Sequence, residues 1–320
     1  MSEFTIIGPA IIDILAGNVD EMVFKTGTQP ISFSKMSFGG DALNEAVVLS
    51  KFGKAVEIIT KLGNDESGQR VQNYLQYNGV DTSHITIDDS LQTGMNIVLV
   101  NKHGERVFLT NPDSSLRKLS AENILPYVSN CGSIVCFASM FISPLLTIPH
   151  MEKVCRQIKK YGHILALDMT TPKNGETIDD ISGILKMADY IFPNELEISM
   201  LTREKDPEKN AELLVQAGVA CAVIKCGKNG CIIKTKHQLL KIPPFVTSCV
   251  DSTGAGDCFA AGFLWALSEG MSLEECGCFA CAVASCTLEQ PGATDGIHDL
   301  SEPMRRFHLL KKEMEMKKNV

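Results

Sequence analysis

Residues 251–257 read Asp251-Ser252-Thr253-Gly254-Ala255-Gly256-Asp257 and run straight into the apolar segment Cys258-Phe259-Ala260-Ala261-Gly262-Phe263-Leu264-Trp265-Ala266-Leu267. The second part predicts a strongly apolar helix. The first part therefore sets small residues at a helix N-terminus, where unsatisfied N–H groups and the helix dipole attract anions. Gly254 and Gly256 have no side chain to obstruct an incoming phosphoryl group. Asp257 falls at the helix entrance, in the same place as that anion. A carboxylate there is repulsive unless it has a task, and accepting a proton from an attacking hydroxyl is such a task. Capping the helix is the other reading these residues allow for Asp257.

Outward from this turn, apolar β runs alternate with amphipathic helical stretches. Strands are expected at 4–8, 56–60, 134–137, 164–168, 190–192 and 222–225, and helices at 41–52 and 66–78, among others. This alternation predicts an α/β fold with a mostly parallel sheet covered on both faces. Two interruptions break the rhythm. Residues 19–38 form an extended, poorly helical insertion, and 93–111 read as a hairpin whose strands, 96–100 and 106–110, flank a turn at Lys102-His103-Gly104. Together, as about 17–38 and 93–112, they predict a small β-sheet lid over the sheet edge, with a plain surface hairpin as the alternative. All of 1–320 is expected to form one domain.

The chain has 320 residues, 44% hydrophobic and 21% charged, which is the composition of a globular protein with a large core. A net charge of -8 argues against a nucleic-acid partner, but not against a phosphate held by local amides. Met1-Ser2-Glu3 is acidic where a signal peptide is basic, Pro9 and Asp13 break the apolar stretch 6–15, and no run reaches membrane-spanning length. A cytoplasmic location is the expectation, with no membrane partner. The twelve cysteines are scattered through apolar runs and read as reduced, buried thiols. The tightest group, Cys276, Cys278, Cys281 and Cys286, lies in Ala-rich helical sequence and reads as packing rather than zinc. There is no GxxxxGK[ST] loop, and the first strand leads into Gly8-Pro9-Ala10, without dinucleotide-binding glycine spacing.

With these residues in view, the sequence resembles the ribokinase/PfkB family of carbohydrate kinases. Residues 251–257 match the family's DTxGAGD signature, with Ser252 in place of a frequent Thr. A second signature is matched by Phe38-Gly39-Gly40-Asp41-Ala42-Leu43-Asn44-Glu45-Ala46, and Pro193-Asn194-Glu195-Leu196-Glu197 carries the family's N-x-x-E. The likeness covers nearly the whole chain, in matching order. It implies a ribokinase-like three-layer sandwich with a β-sheet lid and transfer of the γ-phosphate of ATP to a sugar hydroxyl, with nucleoside kinases of the family and a non-catalytic binding protein as alternatives.

The resemblance also implies roles. Asp257 would be the base, with the amides of Gly254, Ala255 and Gly256 holding the phosphoryl charge. Asn194 and Glu197 would hold Mg2+ through water. Lys225, Gly227 and Gly230 would line the nucleotide phosphates, Lys173 would point at the γ-phosphate, and the segment around Cys281 would cover adenine. Asp251, Thr253 and Gly292 are candidates for a monovalent cation, K+, although Gln290-Pro291-Gly292 also reads as a plain turn. Asp13, Gly40, Asp41, Asn44 and Asn96 are sugar contacts. The stretch 138–144 has no acid where ribokinase-like pockets often place one, so ribose is not the expected substrate. Arg106 in the lid suggests an acidic group on the sugar, with a solvated edge-strand charge as the rival. Relatives pair through the lid, so a homodimer is expected.

Overall fold

A computed structural model describes residues 2–103 and 105–318, with Arg106 and Lys318 by backbone alone. Its strands, in chain order, are β1 (Phe4–Ile7), β2 (Ile11–Gly17), β3 (Ser34–Gly39), β4 (Val56–Gly63), β5 (Ile85–Asp88), β6 (Met95–Val100), β7 (Arg106–Thr110), β8 (Ile134–Met140), β9 (Ile164–Met169), β10 (Tyr190–Phe192), β11 (Cys221–Lys225), β12 (Cys231–Thr235) and β13 (Leu239–Ile242). They form two sheets. The larger has the order β13-β12-β11-β10-β9-β8-β1-β4-β5 and the smaller β3-β2-β6-β7.

From β5 to β11 every neighbouring pair in the large sheet is parallel; β12 and β13 add an antiparallel edge. The parallel strands are buried on both faces and read as continuous apolar runs for that reason. Their side chains alternate between two cores. On β8, Ile134, Cys136 and Ala138 join the core under the helices Asp41–Lys51, Ala255–Ser268 and Leu273–Leu288. Val135 and Phe137 join the opposite core, under Ile148–Lys160, Glu195–Thr202 and Pro207–Gln216. The expected parallel sheet with helices on both faces is therefore present, and it turns the carboxyl ends of its strands toward one rim.

The small sheet hangs over that rim. Its register aligns Ser37, Asp13, Asn96 and Thr110 in one row across all four strands, and Met36, Ile14, Ile97 and Leu109 in the next. Because strand side chains alternate, the polar row and the apolar row point to opposite faces. The polar row faces the large sheet's rim. The expected hairpin is β6 and β7; its turn residue Gly104 lies outside the described residues.

Three features escape the sequence pattern. The first apolar stretch is two strands in two sheets, because Gly8 (φ +154°) and Pro9 break it. The insertion contains β3 as well as a short helix, Val23–Thr26. The edge pair β12–β13 is short and carries Lys234 and Lys241, with Lys236 in the turn between, a charged pattern that hides edge strands.

The apolar helix Ala255–Ser268 is fixed by aromatic packing, with the Phe263 ring 5.2 Å from Phe192 and 5.8 Å from Tyr190 on β10. Phe263 is fully buried. Phe263→Ala should cost about 3–5 kcal/mol, read as a lower urea midpoint at unchanged m-value.

Candidate active site

Helix Ala255–Ser268 starts from Gly254, whose φ of +72° favours glycine and where an added Cβ would stand 2.5 Å from that of Ala293. No side chain caps this helix. Asp257, in its first turn, instead accepts a hydrogen bond from Asn44 Nδ2 at 2.7 Å. The capping alternative thus gives way to a contact with a second helix, Asp41–Lys51. Burial raises the Asp257 pKa well above the ordinary value; Asp41 and Asp168 add to this, and the Asn44 hydrogen bond and Lys225 oppose it. Asn44 is itself buried, and its Oδ1 has no partner among the described residues.

The N-terminus of the helix opens onto a cleft of about 410 Å3. Lys225, Gly227 and Gly230 line one wall, Phe245 to Thr247 another, and Cys281, Ser285 and Leu288 a third. Lys225 lies at the floor. Its ammonium bonds both Asp168 oxygens, at 2.8 and 2.9 Å, with the two side chains 12% and 3% exposed. An added methyl at Gly256 would stand 3.4 Å from that ammonium, so Lys225 sits beside the helix's free amides. Burial lowers the lysine pKa, but Asp168 and Glu197 outweigh it and hold Lys225 charged.

Asn194 and Glu197 form a reciprocal cap at the start of helix Glu195–Thr202. The Glu197 amide donates to Asn194 Oδ1 (2.9 Å) and the Asn194 amide to Glu197 Oε2 (2.8 Å). Burial pushes Glu197 up to about 7 against the pull of Lys225. Asn194 also bridges to Lys225 by backbone pairing. On the other side of the turn, Asp251 ties two loops together, accepting from the amides of Thr253 (2.8 Å) and Gly292 (3.1 Å). The lid reaches this loop too: Lys35 Nζ donates to Pro291 O (2.9 Å) and pairs with Asp295 (2.6 Å).

Beneath the lid, Asn96 Nδ2 donates to Asp13 Oδ1 (2.9 Å) and Thr110 to Asn96 Oδ1 (2.7 Å). Gly40 has φ +93°, and a Cβ there would meet Pro9 O at 2.5 Å, so only glycine brings the helix this close to the β1–β2 break. Asp41 follows it and accepts a hydrogen bond from Ser139. Ser139 itself has φ +57°, a conformation unusual for a side-chain-bearing residue and a mark of functional constraint.

Residues 1–300 match the pfkB family carbohydrate kinase model. This chain belongs to that family. As a pfkB family carbohydrate kinase it is a phosphotransferase with an alcohol acceptor. It is 28% identical over 249 residues to an uncharacterised sugar kinase of Archaeoglobus fulgidus, covering 78% of this chain and 97% of that one. It is 27% identical over 277 residues to a ribokinase of Haemophilus influenzae, covering 84% and 87%. The structure of Arabidopsis thaliana ribokinase complexed with ribose and ATP superposes with a TM-score of 0.80 at 23% identity, covering 96% of this chain and 98% of that one, and gives the fold as ribokinase-like.

Most of the family-signature residues converge on one rim. The cleft collects Lys225, Gly227, Gly230, Ala255, Gly256 and Cys281, and the lid brings Asp13, to which Asn96 donates, opposite Asp251, Thr253 and Gly292. Lys173 is not brought in: it is exposed, donates to Thr171 Oγ1 at 3.0 Å, and is not among the cleft-lining residues. The Arg106 side chain lies outside the described residues. Asp168, Ser139 and Phe245 belong to the site and carry no local motif. Only Asp168 offered a signal, as an acid closing an apolar strand.

The Lys225–Asp168 pair supports a prediction. Lys225→Met leaves a buried carboxylate without its counter-charge and should cost about 3–5 kcal/mol. The double variant Lys225→Met/Asp168→Asn should regain most of that in denaturant titration.

Proposed function

We propose that this kinase transfers the γ-phosphate of ATP to a hydroxyl of a sugar or sugar acid, with Asp257 as the base. One observation carries the reading. Asp257 follows Gly256, a lining residue of the cleft, in the first turn of the helix that starts at Gly254, and Asp251 and Thr253 of the same turn face Asp13 and Ser37 of the lid. The acceptor hydroxyl gives its proton to the Asp257 carboxylate as its oxygen attacks the γ-phosphorus, and the bond to the ADP oxygen breaks. The amides and Lys225 take up the charge on the phosphoryl oxygens. Phosphoryl transfer needs little else from a protein. Burial and the neighbouring acids raise Asp257's affinity for a proton, which favours taking one from the hydroxyl, and Asn44 holds the carboxyl in place.

Asn194 and Glu197 would hold Mg2+, which would supply neutralisation of the phosphate charge. Asn194 and Glu197 fit an ion held through water: their cap uses one Glu197 oxygen, and Mg2+ keeps several waters where one or two carboxylates face it. With Glu197 near 7, the site gains negative charge as pH rises through neutrality, and Mg2+ should bind more tightly there. Asp251, Thr253 and Gly292 remain our candidates for a monovalent cation such as K+. Lys35 already places an ammonium beside that loop.

For the acceptor we assign Asp13, Gly40, Asp41, Asn44 and Asn96. The acid lacking after β8 is offered from the facing helix by Asp41, which Ser139 orients. Paired carboxylate and amide groups suit vicinal hydroxyls. An acidic sugar would add a contact to Arg106, whose backbone lies on β7 in register with Val100.

The apolar lid row, with Met36, Ile97 and Leu109 all more than two-fifths exposed, suits pairing with a second copy. Ile97→Asp should turn a dimer into a monomer in light scattering, without unfolding. No helix among the described residues is long and apolar enough to cross a membrane, and the twelve cysteines are free thiols; a cytoplasmic location accords with both.

The deciding experiment measures ATP consumption across ketoses, aldoses, sugar acids and nucleosides with Mg2+. On the acceptor found, Asp257→Asn should lose about 10²–10⁴-fold in kcat with acceptor binding retained. An unchanged rate removes Asp257 as the base.

A further inference from the structure

Four residues after Asp41, the helix Asp41–Lys51 buries a second acid. Glu45 is 0% exposed, and neither carboxyl oxygen has a hydrogen-bond partner among the described residues. The polar group beside it on β8 is the Cys136 thiol. The charged groups that reach it are acids: Asp168 on β9, Asp257 on helix Ala255–Ser268, and Asp41 on its own helix. Lys225 on β11, the ammonium of this cluster, is bonded to Asp168.

A carboxylate in dry protein with only a weakly donating thiol beside it and three acids around it is strongly unfavourable. Burial, and then those acids, push the Glu45 pKa well above its ordinary value, and the Cys136 thiol opposes them only in part. The same burial raises Cys136, which stays a thiol.

We propose that Glu45 is a positioning residue for phosphoryl transfer: a dry, neutral carboxyl behind Asn44 and Asp257 that withholds one negative charge from the phosphate site, and whose ionisation, as pH rises, shuts the enzyme down. The inference rests on Asp257 being the base. Asp168, Glu197 and Asp257 already act on the Lys225 ammonium, Asp41 lies near Asp168 and Asp257, and a triphosphate must enter beside them. A further fixed charge would repel the phosphates and hold a proton on the base. Neutral Glu and Gln have nearly the same shape, so Glu45→Gln keeps the working state and removes only the titration.

The test uses Glu45→Gln in two ways. The folded protein keeps a proton on Glu45 that the unfolded chain releases above the ordinary value, 4.5. Glu45 therefore costs stability that grows as pH rises toward its folded value, and Gln removes that cost. The melting temperature of Glu45→Gln minus that of wild type should increase between about pH 5 and pH 8; parallel curves overturn the proposal. In kinetics, the wild-type KM for ATP should rise about tenfold per pH unit above the Glu45 titration, while Glu45→Gln stays flat there with near-wild-type kcat at neutral pH. The same alkaline limb in both proteins overturns it.

If Glu45→Gln does not fold, infrared spectra of wild type and Asp257→Asn decide. A protonated-carboxyl band that persists in both well above the Glu197 titration near 7 supports the proposal, and its absence sinks it. The melting arm needs no substrate, so it is read separately from the kinase reading. A growing difference without phosphoryl transfer to any acceptor would leave Glu45 neutral and end its positioning role.

Discussion

The ion pair between Lys225 and Asp168 is the constraint around which this site is organised. Asp168 closes β9 and Lys225 closes β11, so their bond joins the ends of two strands that β10 separates. The lysine ammonium is thereby held beside Gly256, at the mouth of the apolar helix. Asn194, at the end of β10, pairs with the Lys225 backbone, and Glu197 contributes to the lysine's charge state. One buried cation thus orders three strand ends and the residues assigned to the phosphates. Pairs of this kind contribute little net stability, because desolvation offsets the attraction. Their value lies in fixing a charge where a mobile surface lysine could not.

The same economy of charge explains the other half of the site. The helices Asp41–Lys51 and Ala255–Ser268 meet through Asn44 and Asp257. A neutral amide between two helices can hold a carboxylate without neutralising it, which is what a base requires. Gly40 and Gly254 make that approach possible, each at positive φ with backbone or side-chain atoms crowding the space a Cβ would fill. The lid contributes a row of short polar groups that bond one another, and the opposite face of the same strands is apolar. A single four-stranded sheet therefore presents a polar face toward the large sheet's rim and an apolar face away from it.

Much of this was legible along the chain. The parallel sheet showed as continuous apolar runs because its strands are buried on both faces. The turn at 251–257 showed because its small residues stand at fixed spacing before an apolar helix. Less visible were groups whose function comes from distant partners. Lys173 and Lys225 are both lysines beside family motifs, yet one binds Asp168 in the floor of the cleft and the other stays in solvent. Ser139 reads as an ordinary polar residue until its backbone turns to positive φ and its hydroxyl meets Asp41. Glu45 stands in the second family signature with no role of its own, and only packing against β8 shows that it is dry.

The sequence by itself determined the fold class, the family and the position of Asp257 at a helix entrance. These depend on periodicity and local spacing, which a chain carries in its order. The tertiary structure decided that Asp257 bonds Asn44 rather than capping its helix, and that Lys225 is charged and paired. It also decided that the first apolar stretch divides between two sheets. Those outcomes depend on which side chains lose water together, and that is set by contacts between residues as far apart as 44 and 257.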